Sequence, residues 1–246
     1  MDGKTILITG GAKRVGAAIC RRLHAAGANL AIHYHQSASA ARALQAELNK
    51  LRADSVILIQ ADLLDCGSFP SIISTTINQY GRLDALVNNA SSFFATPIGS
   101  INEDNWLDLI GTNLKAPLFL AQAAAAELRR QRGCIVNISD IHAVRPMKNY
   151  VVYSIAKAGL DGLTKSLARE LGPEVRVNAV APGPILWPED ANKMDEVSRQ
   201  RVISHTILKQ AGNPDDIAQA AYYLIAHAPY VTGQVINVDG GRSVKL

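Results

Sequence analysis

Tyr153 and Lys157 stand four residues apart in the run Tyr153-Ser154-Ile155-Ala156-Lys157. On a helix that spacing puts both side chains on one face. An ammonium beside a phenol favours the phenolate and draws the tyrosine pKa down toward working pH. A phenol tuned in this way can give a proton to an atom that receives hydride. Taken alone, the pair fits a surface tyrosine beside a surface lysine equally well, so its meaning depends on what accompanies it.

A glycine-rich turn, Thr9-Gly10-Gly11-Ala12-Lys13-Arg14-Val15-Gly16, follows an apolar run and opens an alanine-rich one. Backbone N–H groups at such a helix start hold a pyrophosphate, and the glycines let it come close. Arg14 occupies the place where a middle glycine would be expected. A chain that binds NAD usually carries an acid about 20 residues further on, for the ribose hydroxyls. Here that stretch reads His33-Tyr34-His35-Gln36-Ser37, with no carboxylate before Glu47. An acid would repel a 2′-phosphate, whereas hydroxyl, amide and imidazole groups donate to it. The expectation is NADPH rather than NAD. Asp62 reads either as an acceptor for an adenine amino group or as a helix N-cap.

These residues need a scaffold, and the chain supplies an alternating one. Strand-like runs are expected at residues 5–9, 29–33, 55–60, 85–88, 134–139, 176–179 and 235–238. Helical spacing is expected over 15–26, 38–52, 104–128, 152–171 and 214–226. Strands that are apolar throughout, separated by helices, indicate a parallel sheet covered on both faces. The expected fold is α/β, a doubly wound Rossmann arrangement with a seven-stranded parallel sheet, as one domain over 1–246. An irregular stretch from Ala181 to about Asn192 holds Pro182, Gly183, Pro184 and Pro188. A long loop after a late strand tends to carry function.

Composition narrows the class. Of the 246 residues 48% are hydrophobic and 19% charged, which suits a packed core and not a disordered chain. The net charge of +4 is spread along the chain and gives no nucleic-acid footprint. Three cysteines, Cys20, Cys66 and Cys134, are far apart and lack metal-ligand spacing, so neither a disulfide framework nor a metal site is expected. No apolar run has the ~18 residues of a membrane span. The chain enters its first strand at Thr5, too early for a signal peptide. A cytoplasmic protein without a membrane partner is expected.

The glycine turn, Asn88-Asn89-Ala90, Asn113, the Tyr153/Lys157 pair and Pro182-Gly183 occur in this order along the whole chain. This layout resembles the short-chain dehydrogenase/reductase family. The resemblance implies that Asn113 supports a proton-relay water and that Lys157 also holds the nicotinamide ribose. It further implies that the last helices form the substrate wall and an oligomer interface, with a homotetramer as the active form. Most family members carry serine thirteen residues before the tyrosine, where this chain has Asp140. Ser139 adjoins it, but neighbouring strand residues face opposite ways. A serine hydroxyl donates to a carbonyl oxygen. An ionised carboxylate repels a developing alkoxide and welcomes ring N–H groups. The substitution points away from simple ketones and toward a nitrogen heterocycle.

Arg14 in the turn, Asn88-Asn89-Ala90-Ser91-Ser92-Phe93 and the Asp140/Tyr153 spacing together resemble the pteridine reductases within that family. Gln36 departs from their pattern, which often has a basic residue there, while Lys13 and Ser37 remain available. The resemblance implies catalysis by Asp140, Tyr153, Lys157 and Asn113. It assigns the cofactor to Gly10, Lys13, Arg14, Val15, His35, Gln36, Ser37, Asp62, Leu63, Asn89, Ala90, Ser91, Tyr153, Lys157, Pro182 and Gly183. It assigns a pterin to Arg14, Ser91, Phe93, Asp140, Tyr153, Leu186 and Trp187. Phe93 would stack on the pterin opposite the nicotinamide, and Arg14 would bridge cofactor phosphate and pterin. Leu186, Trp187 and Pro188 would form a lid, with Met147 and Tyr150 lining the same pocket. The expected activity is NADPH-dependent reduction of dihydropterins, with oxidised pterins and folates as further candidates. The alternatives are a carbonyl reductase of acyl thioesters or small ketones, and a silent NADP-binding regulator.

Overall fold

The computed structural model describes residues 1–187 and 195–244. Its centre is a parallel sheet of β1 (Thr5–Ile8), β2 (Asn29–Tyr34), β3 (Val56–Gln60), β4 (Ala85–Asn88), β5 (Cys134–Ile138), β6 (Arg176–Pro182) and β7 (Val235–Val238). The strand order is β3-β2-β1-β4-β5-β6-β7, seven strands in all. Helices run between them as α1 (Arg14–Ala25), α2 (Ala38–Leu51), α3 (Phe69–Tyr80), α4 (Glu103–Ile110), α5 (Ala116–Gln131), α6 (Val151–Leu171), α7 (Glu196–Ser204) and α8 (Pro214–Ala226).

Alternation along the strands divides the core. Ile6, Ile8 and Val87 face one side with Ile19 and Leu23 of α1, Leu44 of α2 and Ile217 of α8. Leu7, Leu86 and Ile135 face the other side with Phe69 and Ile72 of α3, Leu120 of α5 and Leu171 of α6. Strands buried on both faces carry no polar stripe, which is why they read as continuous apolar runs.

The order reverses between β1 and β4, which pair with Ile8 opposite Val87. The connections after these two strands leave to opposite faces and open a crevice at the carboxyl end of the sheet, the place where such folds take ligands. The glycine turn follows β1 and Asn89 follows β4, so the reversal places them side by side.

The expected helix 104–128 is divided into α4 and α5 by a π-helical turn, Gly111–Lys115. Pro117 has no N–H to return to residue 113, so the regular ladder cannot run through this point. Two helices are additions to the sequence expectation, α3 and α7. The Phe69–Tyr80 segment is rich in Ser, Thr and Ile, poor intrinsic helix formers, and is held by packing of Phe69, Ile72, Ile73 and Thr76. Helix α7 buries none of its residues and shows no apolar period, but Asp195 caps its start through Ser198 N.

Candidate active site

The glycine turn is a built cradle. Gly10 has φ +60°, and a Cβ there would lie 2.8 Å from Ala90 Cα, so the close approach of the β1 and β4 connections demands glycine. Thr9 Oγ1 accepts from the backbone N–H of Asn89 and Ala90 at 3.0 and 3.1 Å. Asn89 Nδ2 donates back to the carbonyls of Thr9 and Gly10, both at 2.9 Å. No side chain caps the start of α1 and its first turn holds no acid, which leaves that helix end suited to an anion. Arg14 adopts φ +53°, the left-handed conformation that glycine would take freely. Holding an arginine there costs about 1–2 kcal/mol. Its guanidinium donates to the Trp187 carbonyl at 3.3 Å, tying the turn to the loop after β6.

Beneath the turn lies His33, which the sequence places in the stretch facing the cofactor and which the fold turns inward instead. His33 Nδ1 accepts from Gly10 N–H at 3.3 Å, so Nε2 carries the proton and donates to the Ala61 carbonyl at 3.1 Å. Burial pushes its pKa down to about 4, which keeps the ring neutral. The usable signal was a histidine at the end of an otherwise apolar strand.

A cleft of about 480 Å³ runs along the carboxyl ends of the strands. It brings together Gly10, Lys13, Arg14, Val15, His35, Asp62, Leu63, Asn89, Ala90, Ser91, Asp140, Tyr153, Lys157, Pro182, Gly183 and Leu186. Gln36 and Ser37 line an adjoining recess of about 390 Å³ with Lys13, His35 and Asp62. Asp62 is no helix cap: its Oδ1 accepts from Leu64 N–H at 2.9 Å in a local turn, and its Oδ2 lies 4.0 Å from His35 Nε2. Gly183 lets β6 pass β7, since a Cβ there would meet Asp239 Cα at 2.6 Å.

At the other end of the cleft, Tyr153 Oη donates to Asp140 Oδ2 at 2.7 Å. Asp140 Oδ1 accepts from His142 N–H at 2.8 Å, which fixes the carboxylate in a short turn after β5. The expected lowering of the tyrosine pKa is corrected here. Burial, the Asp140 charge and the hydrogen bond to it hold Tyr153 well above the ordinary tyrosine value, with Ser91 pulling weakly the other way. The phenol is thus kept protonated. Lys157 is buried, and its Nζ donates to the Ile138 carbonyl at 2.9 Å and lies 5.7 Å from the Tyr153 ring centroid. Burial draws the Lys157 pKa down to about 8, against the pull of Asp140 and Asp161.

Asn113 sits buried in the π-helical turn. Its Nδ2 donates to Ser92 O at 3.0 Å and Leu109 O at 2.9 Å, and its Oδ1 accepts from Ser91 Oγ at 2.6 Å. The side chain therefore fixes the segment that leads to Phe93. Phe93 stacks on Tyr150 with centroids 4.7 Å apart and meets Tyr153 edge-on at 4.9 Å. Trp187 contributes its carbonyl to Arg14, while its ring lies 5.6 Å from the Arg199 guanidinium of α7. Met147 lies in the turn before α6, its N–H 3.4 Å from Ser154 Oγ. Pro188 lies outside the described residues. The cysteines are free, with Cys20 and Cys134 buried. Among the described residues no cluster of His, Cys, Asp and Glu is placed to hold a metal, and no helix is long and apolar enough to cross a membrane.

A parallel sheet with an anion cradle at its reversal point and a buried Tyr/Lys pair in the same cleft defines a dinucleotide-dependent oxidoreductase. The comparisons with known proteins narrow the class. A family model described as enoyl-(acyl carrier protein) reductase matches residues 10–243. The chain is 36% identical to pteridine reductase 1 of Leishmania tarentolae, over 97% of this chain and 96% of that protein. It is also 36% identical to the 3-oxoacyl-(acyl-carrier-protein) reductase FabG of Staphylococcus aureus strain Mu50, over 97% of each chain. Identity to glucose 1-dehydrogenase 2 of Bacillus subtilis strain 168 is 31%, over 99% of this chain and 96% of that one. The chain belongs to the short-chain dehydrogenase/reductase family, whose members use nicotinamide dinucleotides. Equal identity to a pterin enzyme and a ketoacyl enzyme leaves the substrate to be argued from the site.

Proposed function

We propose that this enzyme is an NADPH-dependent reductase of pterins. The observation that carries the reading is the Asp140 carboxylate hydrogen-bonded to the Tyr153 hydroxyl. An ionised carboxylate accepts and cannot donate. It suits the amino and ring N–H groups of a pterin, and it repels the alkoxide that forms when a ketone takes hydride. The neighbouring hydroxyl offers no substitute, because Ser139 Oγ donates to Asp161 Oδ1 at 2.5 Å.

The cradle of Gly10, Lys13, Asn89 and the start of α1 would hold the pyrophosphate. Lys13, His35, Gln36 and Ser37 would hold the adenosine end, and the absence of an acid before Glu47 favours a 2′-phosphate. Bound there, the reduced nicotinamide supplies hydride to a ring carbon. Tyr153 gives its proton to the neighbouring ring nitrogen, and the Lys157 ammonium offsets the charge left on the phenol oxygen. Asp140 orients the ring by accepting from its N–H groups, and Phe93 stacks on its face with Tyr150 behind. Arg14 and Ser91 line the same cleft. A cytoplasmic homotetramer is part of the proposal. Exposed Trp106, Leu107, Leu118 and Ile155 on α4, α5 and α6 supply apolar surface for association.

The second reading is a reductase of acyl-thioester carbonyls, favoured by the identity to the ketoacyl enzyme. NADPH consumption with dihydrobiopterin, dihydrofolate and an acetoacetyl thioester, run beside NADH controls, separates the two. Turnover of the pterin with NADPH supports the proposal, and turnover of the thioester alone refutes it.

A further inference from the structure

Asp161 belongs to none of the roles assigned above, yet it sits against the catalytic set. It lies one helical turn beyond Lys157 on α6, so the two share a face. Its Oδ1 takes the Ser139 hydroxyl at 2.5 Å, and Ser139 is the residue next to Asp140. Ser139 is itself buried and lines the cleft.

We propose that Asp161 is a positioning residue of the catalytic set: it anchors the Ser139 hydroxyl next to Asp140 and, from the same face of α6, acts as a second carboxylate on Lys157. Through Ser139 it ties α6 to the junction that carries Asp140. Through its charge it favours the ammonium form of Lys157, which burial opposes. The groups that act on this pair are few. Asp140 after β5 and Tyr153 face Lys157. Lys165 on α6 acts on Asp161, and Arg242 near the C-terminus acts on Asp140.

The inference rests on Tyr153 and Lys157 being the catalytic pair and not on the pterin as substrate. Its test therefore uses whichever of dihydrobiopterin and the acetoacetyl thioester the wild type turns over. Removing the Asp161 charge lowers the Lys157 pKa, so the ammonium is lost at lower pH. In Asp161→Asn the alkaline limb of kcat/KM is expected to move down by about one pH unit. Asp161→Glu restores the limb, and Ser139→Ala leaves its position unchanged because the charge is kept. A titration of 15N-lysine-labelled protein reads the Lys157 shift without turnover, the signal being identified by its loss in Lys157→Ala. A limb and a Lys157 titration that coincide in Asp161→Asn and wild type would overturn the proposal, whatever the substrate.

Discussion

The Tyr153 hydroxyl gives its proton side to Asp140 at 2.7 Å, and both groups sit in the cleft that begins at the glycine turn. A carboxylate in that position does two things at once. Together with burial it keeps the phenol protonated, and it puts an acceptor where a serine hydroxyl would donate to a ketone oxygen.

Tyr153→Phe removes the proton donor and keeps the ring that Phe93 meets edge-on. The expected loss in kcat is about 10²–10⁴-fold, the usual contribution of a positioned general acid. NADPH binding, followed by quenching of protein fluorescence, is expected to change less than about threefold, because Lys157 and the cradle are intact.

The pH profile of kcat/KM is expected to fall above about 8, the value to which burial draws Lys157. Below it the ammonium is present, and as pH rises through it the positive charge behind the phenol is lost. Tyr153, held above its ordinary range, stays protonated across that window. A profile flat to pH 10 would remove Lys157 from the mechanism.

His33 links the cradle to stability. Its pKa falls from 6.5 to about 4 on folding, so the unfolded chain binds the extra proton first. The stability this contributes is fully present above pH 6.5 and is lost as pH falls through about 4, roughly 3 kcal/mol in all. The expected signature is a melting temperature in His33→Gln that falls less steeply between pH 6.5 and 4.5 than in wild type. The same variant is expected to weaken NADPH binding, because Gly10 N–H loses its acceptor.

Phe93→Ala is expected to raise the KM for dihydrobiopterin by about three- to tenfold, the range set by 0.5–1.5 kcal/mol of aromatic stacking. NADPH binding measured by the same quenching titration stays as in wild type.

The doubly wound sheet was legible because each strand is short, apolar and set off by turn residues, and the two ends of the cleft were legible as local motifs. What stayed hidden was settled by packing or by distance across the fold. Helix α3 has no helix-forming composition and exists because Phe69 and Ile72 are buried. The break before α5 depends on Pro117, which the apolar spacing of 104–128 concealed. His33 and Gly10 are separate in the chain and meet only because β2 pairs with β1. The direction of the Tyr153 shift was misread from Lys157 alone. Burial of the phenol is the larger cause, and the Asp140 carboxylate beside it also opposes ionisation where an ammonium would favour it.

The ratio of kcat/KM for dihydrobiopterin to that for an acetoacetyl thioester, measured with NADPH in wild type and in Asp140→Ser, tests the central claim most directly. The account predicts a ratio well above one in wild type. In Asp140→Ser it predicts a fall of at least about 100-fold with NADPH binding unchanged. A wild-type ratio below one, or a ratio that Asp140→Ser leaves unaltered, would contradict it.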